Sequence, residues 1–415
     1  MMRYAEIAIL GMGASGCMAG IACANAGRRV ALFDRNEKVG KKIYITGKGR
    51  CNVTNTTPFP AFFDNISRNP RFLYSAFHQF SNRDTMDFFT QHGQPLKVER
   101  GDRVFPVSDH ASDINRVLEK TLRKNGAELY FHHCAKDVTY DEKERRFCIV
   151  FTDKEPFYAS RVILACGGKS YPSTGSTGDG YRFAKAFGHS LVPLSPALVP
   201  ILLQDDFVSS WEGVSLKNIT LNASWRNRKE SLFGEMLFTH DGISGPVVLT
   251  LSSLLSGKEQ NDVVLSLDWK PAMEEEVLRR RLLRERQNGA NRSLRTLFST
   301  FLPKRCVDVF LQKGRWDGAS PFHSWTKTEE DRFLRLLKNF PLSYAGLASF
   351  SQAVITRGGV EVKEVFPKTM ASRKQEGLFL AGEMLDVDGL TGGYNLQIAF
   401  STGFAAGIGA AESLA

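Results

Sequence analysis

The sequence predicts an α/β fold in which both ends of the chain contribute to one domain and a long insert separates them. Residues 5–10 form a predicted buried strand, followed by a glycine-rich turn, a helix over 15–26 and a second strand over 29–34. This is the beginning of a βαβ unit. Near the other end, residues 377–382 form another buried strand, and a second glycine-rich turn leads into an apolar helix over 396–414. We therefore expect a discontinuous Rossmann-like domain with an inserted β-barrel-like subdomain and a small helical subdomain.

The rest of the first half alternates between helical and strand-like patterns. It comprises an ordered loop over 35–60, helices over 70–92 and 111–125, a hairpin over 96–107, strands within 127–151, a buried strand over 160–166 and a helix that begins near Asp179.

The pattern changes after Pro193, and this change marks the insert. Residues 197–268 contain short β-like runs, including PVVLTL at 246–251, whereas residues 271–340 have helical spacing. The predicted domains are residues 1–190 with 356–415, residues 191–270 with 341–355, and residues 271–340.

The composition is typical of a globular protein, with 415 residues, 42% of them hydrophobic and 24% charged. The formal net charge of +10 suits acidic small molecules, lipids or nucleic acid, and it identifies none of them. The densest basic stretch runs from Arg279 to Arg295 and is interleaved with glutamates. We favour a solvated helix face over a binding patch for this stretch.

The seven cysteines are irregularly spaced and form no CxxC motif. This argues against a disulfide framework and a zinc site, and it indicates a reducing, cytoplasmic compartment. We expect no metal, and no signal peptide is apparent. The apolar run over 396–414 contains polar residues and several glycines, which favours a buried helix over a membrane span.

The first chemical motif is GMGASG, which begins at Gly11 between a strand and a helix. Gly11 allows a tight turn, Gly13 lets the backbone approach a pyrophosphate, and Gly16 allows close packing of helix on strand. The helix N-terminus supplies free N–H groups for phosphates, and Asp34 can accept both hydroxyls of an adenosine ribose. The alternative is a glycine turn without a ligand. The predicted contacts are Gly11, Gly13, Ala14, Ser15, Gly16, Asp34 and Arg35.

The second motif is KKIYITGKGRCNVTN at residues 41–55. Glycines, lysines and hydroxyl groups in one loop can wrap a diphosphate and a polyol, and the alternative is a plain surface loop. The predicted contacts are Lys42, Thr46, Gly47, Gly49, Arg50, Cys51 and Asn52. Cys51 has a second interpretation, because a lone cysteine is more often a small buried residue than a reactive group.

Two further motifs follow buried strands. Cys166 is followed by the pair Gly167-Gly168, which lets the backbone come close to a ligand. Asp179, further along, can cap the next helix or contact the ligand.

The last motif runs from Gly382-Glu383 through a glycine turn that closes at Gly393. A helix begins near Asn395 and Leu396, and its N-terminus can stabilise negative charge on a cofactor. An ordinary strand–loop–helix connection is the alternative for this motif alone. The four motifs together are far more specific than any one of them.

With these motifs the chain resembles the YhiN/BaiN-type flavoproteins, a branch of the glutathione-reductase-like FAD superfamily. The resemblance covers nearly the whole chain, and its most specific block is GEMLDVDGLTGGYNLQIAFSTG. Other matching segments are TGKGRCNVTN, ILACGGKSYPSTGSTGDGYRFAKAFGH, THDGISGP and TRGGV. The resemblance implies FAD as the cofactor. By the family pattern the contacts are Asp34 to the adenosine ribose, backbone near Val138 to the adenine, Glu383 to the ribityl or pyrophosphate, and Asn395 and Leu396 to the flavin.

The resemblance also implies an FAD-dependent oxidoreductase. The expected reaction passes hydride from NAD(P)H through flavin N5 to an unsaturated or carbonyl-bearing small molecule. No second GxGxxG motif lies within a βαβ pattern, so NAD(P)H would dock transiently. The candidate catalytic groups are Tyr171, His240, Arg357 and Tyr394. Each has a structural alternative, because the tyrosines can simply pack, the histidine can fix a turn and the arginine can anchor a loop.

Three functions stay open at this point. We favour a small-molecule reductase over a flavoenzyme that acts on RNA and over a non-catalytic flavin redox sensor. The favoured function predicts a small-molecule substrate and neither a membrane nor a nucleic-acid partner, and the oligomeric state is left open.

Overall fold

The computed structural model describes residues 3–258, 260–289 and 291–415, and they fold into two compact units. Unit 1 comprises the described residues up to Ala197 together with Phe350–Ala415. Unit 2 comprises the described residues from Leu198 to Ser349. Both ends of the chain therefore fold together in unit 1. The segment predicted as a helical subdomain belongs to unit 2, and its separation as a third domain stays a prediction.

The elements are numbered in chain order. The strands are β1 Arg3–Leu10, β2 Val30–Phe33, β3 Thr54–Asn55, β4 Ile66–Arg68, β5 Leu96–Glu99, β6 Arg103–Pro106, β7 Glu128–Tyr130, β8 Ala135–Asp141, β9 Arg146–Phe151, β10 Lys154–Leu164, β11 Leu191–Ala197, β12 Ile201–Leu203, β13 Ser215–Trp225, β14 Arg228–Phe238, β15 Gly242–Ser244, β16 Val263–Asp268, β17 Phe340–Leu342, β18 Tyr344–Leu347, β19 Ile355–Val360, β20 Leu378–Leu380 and β21 Asp388–Gly389. The α-helices are α1 Ala14–Asn25, α2 Tyr74–Gln79, α3 Asn82–Gln91, α4 Ala111–Lys124, α5 Asp179–Ala186, α6 Pro246–Leu255, α7 Glu275–Gly289, α8 Leu294–Phe298, α9 Val307–Gly314, α10 Lys327–Lys338 and α11 Tyr394–Glu412.

The main sheet of unit 1 is mixed, with the strand order β7-β2-β1-β10-β9-β8 and with β20 also paired to β10. The strands β7, β2, β1, β10 and β20 are parallel, whereas β9 and β8 continue the sheet antiparallel. This arrangement confirms the predicted α/β fold class of Rossmann type. The carboxyl ends of its parallel strands meet at one edge, where ligands bind in open α/β sheets.

Helices α1 and α11 pack against each other through small residues. A Cβ atom on Gly403 would lie 2.2 Å from the carbonyl oxygen of Ser15, and one on Gly407 would lie 2.5 Å from that of Ala19. Most of α11 is buried, which confirms the buried helix expected from this apolar run. In the part of the chain that the structure describes, no helix is long and apolar enough to cross a bilayer.

Three smaller sheets complete unit 1. The hairpin predicted over 96–107 is confirmed as β5 and β6, and β3 extends it. β21 pairs with β4, and β11 pairs antiparallel with β19. Because β11 and β19 form one ribbon, both belong to unit 1, whereas the predicted boundaries fell before β11 and inside β19.

Unit 2 is built on an antiparallel sheet with the order β17-β16-β13-β14-β15-β12-β18. Along β13, Ile219, Leu221 and Ala223 are buried on one face and alternate with less buried residues, as expected for a strand with one face in the core. Helices α7 to α10 contribute to the same hydrophobic core. The barrel-like form of this subdomain stays a prediction.

The segment PVVLTL, predicted as a β-like run, is helical, and this prediction was wrong. It forms the first part of α6, which begins with Pro246 at its first turn. Proline is favoured there because it needs no N–H bond and its φ is already helical. Val247, Leu251 and Leu255 lie four residues apart on one buried face, and this period appears only when the window extends beyond the β-branched run.

Candidate functional site

Polar and glycine residues gather where the parallel strands of unit 1 end. Gly11 follows β1, Asp34 follows β2, and Gly167-Gly168 follows β10. Gly382-Glu383 follows β20. These strands are neighbours in one sheet, so three of the four predicted motifs begin at the same edge. The exception is the 41–55 loop.

The first glycine motif shows three different environments. A Cβ atom on Gly11, whose φ is +104°, would lie 2.4 Å from the carbonyl oxygen of Ala165. One on Gly16 would lie 1.8 Å from the carbonyl oxygen of Gly11. Gly13 precedes α1 and has no atom within 4 Å of the Cβ position, so the backbone at this helix N-terminus faces open space. That is where free N–H groups can bind a phosphate.

The Asp34 carboxylate links the glycine turn after β1 to the segment after β2. Its Oδ2 accepts the Met12 N–H at 2.7 Å, and its Oδ1 accepts both the backbone and the side-chain N–H groups of Asn36 at 2.9 Å. A carboxylate offers about four acceptor sites. Asp34 therefore keeps acceptor capacity for a ribose hydroxyl.

Arg35, just after β2, forms an ion pair with Asp179 at the start of α5. Arg35 also donates to the Cys134 Sγ at 3.3 Å, and the Asp179 carboxylate accepts from the Thr177 hydroxyl at 2.8 Å. The N-cap of α5 is Gly178, and Asp179 is the first residue of the helix. Val138 is buried on β8, and its N–H donates to its neighbour Asp137 at 2.9 Å.

A partly buried polar cluster connects the 41–55 loop with β19 and with the segments that follow β10 and β20. The Glu383 carboxylate accepts from Lys42 Nζ at 2.7 Å, from the Ser170 hydroxyl at 2.6 Å and from the Thr356 N–H at 2.8 Å. Lys42 also donates to Ser170 at 2.6 Å. A Cβ atom on Gly168 would lie 2.4 Å from the Thr356 hydroxyl. Glycine is needed here because the cluster fills the space.

The residues Ser170, Thr356 and Met12 were not predicted as site residues. Thr356 Oγ1 accepts the N–H groups of Lys169 and Ser170 at 2.7 and 3.0 Å. Ser170 and Thr356 could have been found from their positions in the segments GGKS and TRGGV. Met12 contributes only its backbone N–H, so its side chain gives no indication of this role.

The 41–55 loop is held by left-handed backbone at Gly47, Lys48, Gly49 and Cys51. Thr46 bonds through its hydroxyl to the Ile43 carbonyl at 2.7 Å. Among the described residues, the buried Asn52 Oδ1 has no hydrogen-bond partner. Such an orphaned acceptor is costly unless a ligand or water donates to it.

Two of the predicted loop contacts have other roles in this structure. The Arg50 guanidinium is bonded to Glu99 and, at 2.8 Å, to Asp109. Cys51 is fully buried, and burial raises the pKa of its thiol to about 12. Burial likewise raises the pKa of Cys166 to about 12. Both thiols therefore stay protonated and are poor nucleophiles.

The last motif forms the N-terminus of α11. Gly393 has φ +99°, and a Cβ atom there would lie 2.2 Å from the Thr54 carbonyl oxygen. Asn395 closes the turn, since its Nδ2 donates to the Gly389 carbonyl at 2.8 Å and its Oδ1 accepts the Gly389 N–H at 2.9 Å. Leu396 is partly buried against the core. At the other end of the motif, a Cβ atom on Gly382 would lie 2.4 Å from Ser15 Oγ.

The four catalytic candidates differ in the burial and in the hydrogen-bond partners of their side chains. Tyr171 has left-handed backbone with φ +50° and is partly buried. Within the described residues its hydroxyl has no bonding partner. Arg357 is bonded to the buried Asp388 at 2.7 and 3.2 Å. His240 lies in unit 2, where its side chain is 70% exposed beside Glu212.

Tyr394 is held in an ordered hydrogen-bond chain. Thr57 donates its hydroxyl proton to Asn55 Oδ1, so it accepts from the Tyr394 hydroxyl at 3.1 Å. The orientation of the Asn55 amide is set because its Nδ2 donates to the carbonyls of Gly101 and Gly392. Burial raises the pKa of Tyr394, and its proton is committed to Thr57.

These groups fit a dinucleotide. Open backbone at Gly13, acceptor capacity at Asp34 and the orphaned Asn52 oxygen are features that such a ligand would use. Within the described ranges, no cluster of three or more His, Cys, Asp or Glu residues could hold a metal ion.

A family model described as "HI0933-like protein Rossmann domain" matches residues 5–409. The chain is 33% identical over 414 residues to the 3-dehydro-bile acid delta(4,6)-reductase of Clostridium scindens, covering 98% of this chain and 99% of that protein. It is 30% identical over 408 residues to the ribosomal RNA dihydrouridine synthase of Haemophilus influenzae, covering 98% of each chain. The corresponding synthase of Escherichia coli is also 30% identical over 408 residues, with 97% of each chain covered.

Solved structures show the same fold at low identity. FrdA of Escherichia coli quinol fumarate reductase is 16% identical and has a TM-score of 0.53, with 100% of this chain and 71% of that chain covered. The Mycobacterium smegmatis Sdh1 complex is 17% identical and has a TM-score of 0.52, with 99% of this chain and 68% of that chain covered.

Proposed function

The chain belongs to the HI0933-like protein Rossmann domain family, of YhiN/BaiN type, and from this we propose that it is an FAD-dependent oxidoreductase that reduces a carbon–carbon double bond conjugated to a carbonyl group. The observation that carries the proposal is the glycine-lined edge of the unit 1 sheet, where α1 begins at open backbone beside Gly13. A helix N-terminus of this kind binds the phosphates of a dinucleotide.

Each motif of unit 1 has a role in holding FAD. The N-terminus of α1 binds the pyrophosphate, Asp34 accepts from the adenosine ribose, and Asn395 orients the turn next to the flavin. The pair of Glu383 and Lys42 supplies both an acceptor and a donor beside the polar chain of the cofactor. Bound there, FAD supplies hydride transfer at N5 of its flavin ring. We propose NAD(P)H as the donor of that hydride.

The names of the relatives support the reaction class. A delta(4,6)-reductase of a 3-dehydro-bile acid and a dihydrouridine synthase both saturate a double bond conjugated to a carbonyl. Addition of hydride to such a bond leaves negative charge on the carbonyl side, and a proton must follow. The chain therefore needs a proton donor near the bound substrate.

Tyr171 is the residue we propose as this donor. Its hydroxyl has no hydrogen-bond partner in the part of the chain that the structure describes, whereas the hydroxyl of Tyr394 is bonded to Thr57. Left-handed backbone at a tyrosine costs about 1–3 kcal/mol, and such strain concentrates at functional sites. The neighbouring Ser170, bonded to both Lys42 and Glu383, anchors the segment between β10 and α5.

A small molecule is the favoured substrate because the basic stretch of unit 2 is largely satisfied internally. Arg279 pairs with Glu275 and Asp331, and Arg286 pairs with Glu330. Arg292 and Arg295 are also paired with carboxylates. These guanidinium groups support the helices of unit 2 more than they offer charge to a phosphate backbone.

Anaerobic stopped-flow spectroscopy tests the proposal. The purified protein should show the flavin absorbance at about 450 nm, lose it on mixing with NADH or NADPH, and regain it with a conjugated enone. The Tyr171→Phe variant should keep its FAD but reoxidise with the enone roughly 100-fold more slowly, while Tyr394→Phe should change this rate much less. A colourless folded protein, or equal rates for Tyr171→Phe and the unmodified protein, would contradict these assignments.

A flavoenzyme acting on RNA is the second candidate, and two relatives with that name support it. A gel shift with bulk tRNA at physiological salt tests it, because RNA binding through phosphates is salt-dependent. Absence of retardation would eliminate this candidate. The third candidate, a redox sensor without a substrate, requires slow flavin reduction by every common donor.

A further inference from the structure

Strand β14 has a long open edge in the antiparallel sheet of unit 2. On one side it pairs with β13 from Arg228 to Leu237, but on its other side it pairs only with β15, at Leu237 and Phe238. Among the described residues, no further backbone–backbone hydrogen bond reaches residues 228–236. The outermost strands of this sheet, β17 and β18, span only three and four residues. Short outer strands limit pairing with other chains, so β14 offers the longer unprotected edge.

The hairpin turn sets which backbone groups face this open edge. Residues 226–227 connect Trp225 to Arg228, and these two flanking residues pair directly. Such a turn is closed by a hydrogen-bonded pair, and these pairs recur at every second residue of the ladder. The even-numbered residues of β14 therefore bond towards β13, as Phe238 does towards Gly213 and Val214. The residues whose N–H and C=O groups point outward are Lys229, Ser231, Phe233 and Glu235.

The side chains of these outward-facing residues are exposed as well. Phe233 is 59% exposed, and its cross-strand neighbour is the partly buried Thr220. Lys229 and Glu235 are exposed at opposite ends of the edge, and neither has an ion-pair partner in the described part of the chain. A lysine at one end and a glutamate at the other match a second copy of the same edge that runs in the opposite direction.

We propose that two copies of this chain pair antiparallel through the open edges of β14. Hydrogen bonds form only in registers that place outward-facing residues opposite one another. The register with Leu232 at the two-fold axis uses all four of them. It pairs Lys229 with Glu235 of the second copy, and Ser231 with Phe233 of the second copy, each twice. A two-fold interface of this kind closes on itself and gives a dimer, not a fibre.

This register also brings favourable side chains together on the exposed face. Opposite charges directly across a strand pair attract each other, whereas like charges there are destabilising. Phe233 of each copy becomes a diagonal neighbour of Phe233 of the other, a separation that aromatic side chains can span. Pairing therefore satisfies the open backbone groups, two charge pairs and an exposed aromatic ring at once.

Sedimentation velocity of the purified protein over a range of concentrations tests the proposal. Lys229→Glu and Glu235→Lys, each alone, place like charges opposite one another twice in every dimer. Each should raise the dimer dissociation constant about tenfold. The double variant exchanges the two charges and should restore the dimer. An equimolar mixture of the two single variants should form a heterodimer, because each copy then meets the opposite charge.

Lys304→Glu is the matched control. Lys304 is also an exposed lysine of unit 2 but lies outside the sheet, so the same change in net charge should leave the dissociation constant unaltered. Ser231→Pro is a second test, because it removes an outward N–H group that makes no bond to β13. It should weaken the dimer at least as much as the charge reversals. The thermal midpoint of each variant shows whether it is folded.

A protein that stays monomeric at every concentration reached would overturn the inference. So would a dimer whose dissociation constant is the same in the unmodified protein and in both single charge variants. A double variant that dimerises as weakly as the single variants would show that the two charges do not face each other, which would overturn the proposed register.

Discussion

Gly13 and Gly16 belong to one turn but face opposite environments. At Gly16 a side chain would collide with the Gly11 carbonyl, so this glycine is required by the fold. At Gly13 the Cβ position is open and φ is −77°, which any residue can adopt. No protein atom requires glycine at position 13, and the missing side chain leaves the backbone open to a ligand.

Gly13→Ala should fold and lose FAD affinity. The added methyl group meets no protein atom but occupies space in front of the phosphate-binding N–H groups. We expect a loss of stability of at most about 1 kcal/mol, since alanine is a poorer N-cap than glycine, and a rise in the FAD dissociation constant of at least about tenfold. Flavin fluorescence titration and urea unfolding measure the two effects.

The matched control is Gly93→Ala, because Gly93 also has open space at its Cβ position but has φ +82°. It should cost about 1 kcal/mol through backbone strain alone and leave FAD binding unchanged. Loss of affinity in both variants would mean that stability, and not phosphate access, explains the result.

His189 is a second residue whose role follows from its surroundings. Its side chain is fully buried, with Nε2 2.7 Å from the Ser372 hydroxyl and Nδ1 3.4 Å from the Glu364 carboxylate. Lys374 lies 3.3 Å from the same carboxylate. Burial lowers the pKa of His189, although the charge of Glu364 opposes this shift.

The free energy of unfolding should therefore fall as the pH drops below about 6.5, where an unfolded histidine gains a proton that the folded His189 resists. The contribution is fully present above that pH and is lost progressively on acidification, by at most about 1.4 kcal/mol per pH unit. Urea unfolding between pH 7.5 and pH 5 measures it. His189→Gln should flatten this dependence, whereas His110→Gln, at an exposed position, should not. Equal slopes for all three proteins would refute the assignment.

At the scale of elements, the contact between α1 and α11 is set by backbone and small side chains. Gly407 approaches the backbone of α1 so closely that a Cβ atom would lie 2.5 Å from the Ala19 carbonyl oxygen. Glycine normally weakens a helix by about 1 kcal/mol relative to alanine. Here the lower helix propensity is offset because glycine allows α11 to pack closely against α1, the helix that follows the phosphate-binding turn.

Gly407→Ala should consequently destabilise unit 1 by about 2 kcal/mol, although helix propensity alone predicts a gain. The reversed sign identifies close packing as the cause. Denaturant unfolding measures the change, and Glu412→Ala, at an exposed position of the same helix, should stay within about 0.5 kcal/mol of the unmodified protein. A stabilised Gly407→Ala variant would show that the helices can separate without cost.

At the scale of the whole molecule, each unit has its own hydrophobic core. All five tryptophans lie in unit 2. They are Trp211, Trp225, Trp269, Trp316 and Trp325. The predicted FAD contacts all lie in unit 1, so the intrinsic fluorescence of tryptophan reports on one unit and the flavin reports on the other.

Excess FAD should therefore stabilise unit 1 selectively. At a concentration 100-fold above its dissociation constant, FAD adds about 2.7 kcal/mol to the unit that binds it. We expect the flavin-release transition in urea to move to higher concentration while the tryptophan transition moves much less. Riboflavin, which lacks the phosphates and the adenosine, is the control ligand and should have little effect. Equal shifts of both transitions would show that the two units unfold as one.

Prediction from sequence succeeded where one local pattern implies one structure. Gly11 and Gly16 need glycine for reasons that a strand–turn–helix pattern already contains, and the α/β class followed from the same pattern. It failed at α6, because the β-branched run PVVLTL has the same pattern in a strand and in the first turns of a helix. Sequence analysis missed Ser170 and Thr356. Single serine and threonine residues form no periodic pattern, and these two acquire a role only through contacts with residues distant in sequence.

What the sequence determined by itself is the set of elements and glycine turns that depend on nearby residues, and with them the family of the protein. Only the tertiary structure decided which side chains are free and which are already bonded. Tyr171 and Tyr394 are equivalent tyrosines in the sequence, yet the hydroxyl of Tyr394 is hydrogen-bonded to Thr57, whereas that of Tyr171 has no partner among the described residues. The physical reason is that hydrogen-bond partners and burial are set by contacts between segments far apart in the chain, which local propensity does not contain.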